Sequence, residues 1–169
     1  MTRSQAIRTK ERGVKINDVF LSQTDFVGKI GSVFAPILNY FNKVSFVRSI
    51  MQTIIGIHSK RILPEFHGNT FKKWFTSRNT VINNPIDKVV VFGTCFTNVH
   101  DIELGKAAVK VLEHNNVECI YPPQQCCGAP HLSPGDFDGF KKQAKPNIEE
   151  LSNWVNQGYK IVVTGPPYL

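Results

Sequence analysis

Cys126 and Cys127 are neighbours in the stretch PPQQCCGAP, and the chain has only four cysteines among its 169 residues. A third, Cys95, closes the run KVVVFGTC. Soft thiolates of this kind suit Zn²⁺ or an iron–sulfur cluster. A vicinal pair can place two sulfurs on neighbouring irons, or on one cluster from two directions. The alternative, a disulfide between adjacent cysteines, needs a strained ring. Gly128 and Pro130 suit a tight loop in which backbone amides approach the sulfurs, and such N–H···S bonds tune cluster potentials. Cys119 reads differently: inside VECIY it is a small core hydrophobe. His100 and His131 flank the two cysteine loops. Each is a candidate fourth ligand, set against the plainer role of a surface or loop-capping histidine. A vicinal dithiol redox switch is a further alternative. No proton-transfer dyad or nucleophile triad is visible, and GTCFTN lacks the glycines of a phosphate loop.

For these thiols to act together, the chain must bring them to one place. KVVVFGTC (88–95), VECIY (117–121) and YKIVVTG (159–165) read as short buried strands, the first two ending at the cysteine loops. Between them lie two helical patterns. One is capped by Asp101 and runs over Leu104, Ala107, Ala108, Val111 and Leu112 to Asn115-Asn116. The other starts near Asp136, with Phe137, Phe140, Ala144, Ile148, Leu151 and Val155 in register, and Pro146 predicted to kink or split it. The order β-α-β-loop-α-β favours a parallel sheet with right-handed crossovers. Loops at the carboxyl ends of parallel strands converge on one edge, where α/β folds place ligands. Three distant thiols are thereby expected to meet.

The first half is helical in pattern. Residues 1–22 predict a short helix, a break at Gly13 and a second short helix. Residues 24–42 predict one helix capped by Thr24 or Asp25, with Gly28, Gly31 and Pro36 as bending points. Residues 44–57 predict another, ending at Gly56. Phe71, Trp74 and Phe75 fall at i, i+3 and i+4 and read as core packing.

Charge divides the chain near residues 79–85. Residues 1–80 hold thirteen Lys/Arg against four Asp/Glu, whereas the remainder holds seven against nine. The basic half could face an anionic membrane surface, nucleic acid or an acidic partner, or be only a solvated face. The first twenty residues carry no apolar secretory core, and no run of 18 apolar residues marks a membrane span. The expectation is a reducing, cytoplasmic setting, in which metal or redox chemistry suits the cysteines better than structural disulfides.

With these features in place, the chain resembles the CCG, or cysteine-rich, domain family of iron–sulfur oxidoreductases. GTC followed by CCGAP carries the likeness, together with ELGKAAVKVLEHNNVECIYPPQQCCGAPHLSPGDFDGFKKQAKPNIEELSNWVNQGYKIVV. Residues 11–75 look like the helical linker of the family's glycerol-3-phosphate type, found in the C subunit of the anaerobic glycerol-3-phosphate dehydrogenase. The family also includes the B subunit of heterodisulfide reductase and the iron–sulfur subunits of glycolate and lactate oxidation systems. The resemblance implies an α/β fold: a basic helical region over residues 1–80 and a small parallel-sheet, CCG-type domain over 85–169. It also implies a [4Fe–4S] cluster, in some members an unusual non-cubane one, or zinc. The ligands would be a cysteine before the helix, the CC pair and a later C-x-x-C. Cys95, Cys126 and Cys127 match the first two elements, with Gly128 completing the CCG. The later cysteines would follow the third strand, where Pro167 and Tyr168 stand instead. Family members further carry a ferredoxin-like domain and often a second CCG domain. The expectation is therefore a fragment, a split gene or a degenerate copy, truncated before the C-x-x-C.

The function so implied is electron transfer from a flavin-containing dehydrogenase subunit, through a ferredoxin-type domain, to a quinone or carrier. The chain would be a component of an oxidoreductase complex, cytoplasmic or peripheral on the inner face of the cell membrane, with no nucleic-acid partner. Three thiols leave one ligand to be supplied by His131, water or a partner's cysteine. The alternatives are a zinc-bound module and a cofactor-free interaction module.

Overall fold

The three β-branched runs form one parallel sheet. Its strands are β1 (Asp87–Gly93), β2 (Val117–Ile120) and β3 (Lys160–Thr164), in the order β2–β1–β3. The computed structural model describes residues 3–61 and 63–165. The expected sites at Pro167 and Tyr168 lie outside the described residues. Val89, Val90, Val91 and Phe92 of the central strand are buried, which explains why that run is apolar without alternation. Val90 pairs with Ile120 on one side and Ile161 on the other, so both flanking strands are fixed by the same residue.

Helix α8 (Ile102–His114) links β1 to β2, and α10 (Phe137–Asn156) links the β2 side to β3. Asp101 caps α8 by accepting from the Leu104 amide at 3.2 Å, as expected. Ahead of the sheet run α1 (Arg3–Arg12), α2 (Ile16–Ser22), α3 (Thr24–Val33), α4 (Ala35–Lys43), α5 (Ser45–Ile55) and α6 (Phe71–Ser77). The helical first half and the α/β second half are thus as the sequence implies, with Gly13 at φ +76° between α1 and α2.

The core sits between α8, α6 and one face of the sheet. Phe71, Val89, Val91, Ile102 and Val109 form its buried cluster, with Trp74, Phe75, Leu112 and Cys119 packed around it. The Phe71 ring lies 5.5 Å from Trp74, 6.0 Å from Phe75 and 5.5 Å from Tyr121. The aromatic triplet is core, as its spacing predicts. Gly105 on α8 allows this packing. A Cβ there would stand 2.7 Å from both the Phe71 ring and the Thr97 methyl. Cys119 is half-buried beside the cluster, and burial pushes its thiol up to about 11.

Three local expectations are corrected. Residues 24–42 form two helices, because Pro36 sits in the first turn of α4 and Phe34 leaves helical geometry at φ −103°, ψ 24°. Neither Thr24 nor Asp25 caps α3. Its N-cap is Gln23, which makes no side-chain cap hydrogen bond, and Asp25 instead pairs with Lys29 at 2.8 Å. Helix α10 runs unbroken through Pro146. The next turn is tied down from outside: buried Asn147 is hydrogen-bonded to the 125–126 backbone. That anchoring offsets the one backbone bond a proline removes.

Candidate metal centre

Cys95 is the first residue of a short helix, α7 (Cys95–Val99), that starts where β1 ends. Thr94 caps it, accepting from the Thr97 amide at 3.2 Å. The Thr97 hydroxyl donates to the carbonyl of Thr164 at 2.8 Å, pinning α7 to the end of β3. The sequence points to a loop here; the Thr94-x-x-Thr97 pair was the available signal for a helix start.

On the other side, β2 ends at Ile120 and the chain meets Pro122-Pro123, which have no N–H to continue the ladder. The Gln124 side chain takes over. Its Oε1 accepts from Gly93 N at 2.9 Å, and its Nε2 donates to Val91 O at 3.1 Å. A side-chain amide thus extends the sheet past the prolines and holds the loop against β1. Asn147 clamps the next residues. Its Oδ1 accepts from Gln125 N at 2.8 Å, and its Nδ2 donates to Gln125 O at 3.2 Å and Cys126 O at 3.1 Å. Gly128 then turns the chain at φ +83°, where a Cβ would stand 3.0 Å from the Phe140 carbonyl. A short helix, α9 (Ala129–Leu132), follows. Sequence reasoning missed Gln124 and Asn147. The one readable signal was a polar Asn147 among the apolar positions of α10.

These devices bring Cys95, Cys126 and Cys127 together. The thiols of Cys95 and Cys127 lie near enough to the sulfur of Cys126 to shift one another's ionisation. All four cysteines are free, so Cys126 and Cys127 are not bridged. Cys126 is buried, and Cys95 and Cys127 are half-buried. A fourth group comes from far away in the chain: Thr24 Oγ1 lies 3.1 Å from Cys126 Sγ.

The electrostatics follow from this geometry. The Cys127 thiol, then the Cys95 thiol, donates to Cys126 and pulls its pKa far down against the cost of burial, with Thr24 and the Gly128 amide adding to the effect. Cys95 and Cys127 move up, chiefly through those same bonds and then through burial. Of the three thiols, Cys126 is the one shifted down, and its two neighbours are shifted up. The Ala129 amide donates to Cys127 and opposes that rise. Among the described residues, no group of three or more His, Cys, Asp or Glu side chains is arranged to hold a metal ion. Thiols are nevertheless the donor type that zinc and iron–sulfur sites use.

The histidines go elsewhere. His131 is buried, and its Nδ1 lies 2.8 Å from Asp136 Oδ2. Burial raises the Asp136 pKa, but the Gly139 amide and His131 outweigh it and hold that carboxyl below its usual range. Among the described residues no hydrogen bond joins His131 to a cysteine. His100 Nδ1 contacts Glu65 O at 2.7 Å, and its ring lies between Phe66 and Phe96. Both rings serve as anchors of loops.

Residues 89–168 match the family described as Cysteine-rich domain, CCG. The C subunit of the anaerobic glycerol-3-phosphate dehydrogenase of Escherichia coli K12 is 30% identical over 151 residues, covering 88% of this chain and 38% of that protein. Lactate utilization protein A of Bacillus thuringiensis is 38% identical over 67 residues, 39% of this chain and 28% of that protein. Lactate utilization protein A of Bacillus cereus B4264 gives the same figures. The chain thus spans well under half the length of these relatives. No solved structure matches.

Proposed function

Residues 89–168 belong to the cysteine-rich CCG family, and from that premise we propose that this chain is an iron–sulfur electron-transfer subunit, or a piece of one. It would serve a dehydrogenase complex, taking electrons from a flavin-containing subunit and passing them, with a ferredoxin-type domain, toward a quinone or carrier. Supporting this is the likeness to a dehydrogenase subunit over 88% of the chain. The observation that carries the reading is the convergence of Cys95 and Cys127 on Cys126.

In this reading Cys95, Cys126 and Cys127 are the protein's ligands, and the residues at 85–169 form the unit that positions them. A bound iron–sulfur cluster supplies one-electron chemistry there. The chain's own atoms hold the sulfurs: Gln124 and Asn147 fix the loop, and the Gly128 and Ala129 amides donate to Cys126 and Cys127. Holding a metal would require the three thiols to be deprotonated. The fourth ligand comes from outside the trio, from His131, water or a partner's cysteine.

Anaerobic reconstitution with iron and sulfide tests the proposal. Iron bound with a visible charge-transfer band is the expected result. Less than about one iron per chain would remove the reading. Zinc bound in its place, with no such band, would make the site a structural zinc module.

The helical region, residues 1–80, fits a peripheral membrane contact. Val33, Phe46 and Ile54 on α3 and α5 are 72%, 73% and 67% exposed, in a region with thirteen Lys/Arg against four Asp/Glu. Among the described residues no helix is long and apolar enough to cross a membrane. Flotation with phosphatidylglycerol-rich vesicles is expected to carry the protein upward at low salt and less so at high salt. Equal flotation with neutral vesicles, or none, contradicts an electrostatic contact with the inner leaflet.

A further inference from the structure

Thr24 stands outside every role its sequence position implies. At the start of an amphipathic helix, a threonine reads as a cap, yet the capping position falls on Gln23 and the Thr24 hydroxyl caps nothing. That hydroxyl is spent on sulfur instead, 3.1 Å from Cys126 Sγ. One side chain from the helical region thus touches the loop that carries the cysteine pair.

The approach is built, not incidental. Helix α3 crosses α7, the helix that begins with Cys95. At the crossing Gly28 faces Val99, and a Cβ on Gly28 would already be in contact with the Val99 methyls at 3.4 Å. The helices before α3 grip the segment that follows the cysteine pair. The Ser22 hydroxyl donates to Asp18 O at 2.7 Å and lies 3.4 Å from Pro130 O. The Thr9 hydroxyl donates to Pro134 O at 2.6 Å. Gly135, at φ +83°, lies against α1, where a Cβ would come within 2.8 Å of Ala6 N. From α1 to α3 the helical region therefore lies along residues 126–135 and places the Thr24 hydroxyl at the sulfurs.

We propose that Thr24 is a positioning residue of the cysteine site, whose hydroxyl donates a hydrogen bond to Cys126 Sγ and so couples the helical region to whatever the three sulfurs hold. The coupling runs both ways. The hydroxyl withdraws electron density from a ligand sulfur, which favours the reduced, more negative state of a bound cluster. The sulfur in turn anchors the first turn of α3. That this sulfur carries a metal rests on the proposed function; that the hydroxyl and the sulfur are coupled does not.

The test has two arms and two variants. Thr24→Val keeps the branched shape and removes the donor, whereas Thr24→Ser keeps the donor. In the metal-free protein, amide hydrogen exchange over residues 24–28 and 124–129 is expected to quicken in Thr24→Val, by up to about tenfold for the loss of one buried hydrogen bond. Thr24→Ser should exchange as the unaltered protein does. In the iron-reconstituted protein, Thr24→Val is expected to lower the midpoint potential and Thr24→Ser to restore it. Unchanged exchange in both variants overturns the inference, whatever the protein binds. If exchange quickens but no iron is taken up, the coupling stands and the iron–sulfur reading falls. If iron binds with the same potential in all three proteins, the tuning role is wrong although the site is real.

Discussion

Cys126→Ser is expected to cut the iron retained after anaerobic reconstitution at least about tenfold, a larger loss than any other single sulfur substitution here. The reason is its place at the centre of the trio. Thr24 Oγ1 lies 3.1 Å from its sulfur, and both other thiols and the Gly128 amide act on its ionisation. Serine at this position takes away the sulfur at the centre of the trio and leaves Cys95 and Cys127 with no shared partner. Cys119→Ser serves as the control, because Cys119 packs beside the core on β2, away from the loop. It should retain iron. Equal retention by Cys126→Ser and the unaltered protein would show that the trio is not the ligand set.

Phe71→Ala is expected to destabilise the protein by about 3–5 kcal/mol, read as a lowered urea midpoint. Phe71 has no exposed surface, and three aromatic rings, the α8 backbone at Gly105 and the Gly93 position of β1 close around it. Truncation leaves a cavity that these groups cannot fill, since α8 and β1 are held by the rest of the sheet. The effect reaches the site as well. Gly93 directly precedes the Thr94 cap of α7, and its amide is the donor to Gln124 that holds the cysteine loop. A loss below about 1 kcal/mol would mean that α6 is not part of the core.

The fold was largely legible in the sequence because its signals are local. Three β-branched runs, two amphipathic helices and the charge change at residues 79–85 specify a parallel sheet behind a helical region. Parallel topology then sends the cysteine loops to one edge. What could not be read is what depends on long-range hydrogen bonding. Nothing in PPQQ states that Gln124 will stand in for a missing strand residue, because that role exists only once β1 lies beside it. Pro146 looked like a breaker because the compensating contact, Asn147 to the 125–126 backbone, joins elements far apart in the chain. Thr24 read as a cap for the same reason: its true partner is a sulfur a hundred and two positions away. Helix α7, only five residues long, had too few residues to show a period.

The most direct measurement of the central claim is native mass spectrometry of the anaerobically reconstituted protein. A single species heavier than the 19.0 kDa polypeptide by the mass of an iron–sulfur cluster, depleted in Cys95→Ser and Cys127→Ser and most completely in Cys126→Ser, is what three converging ligands require. The bare polypeptide mass after reconstitution, or an adduct that survives all three substitutions, would contradict it.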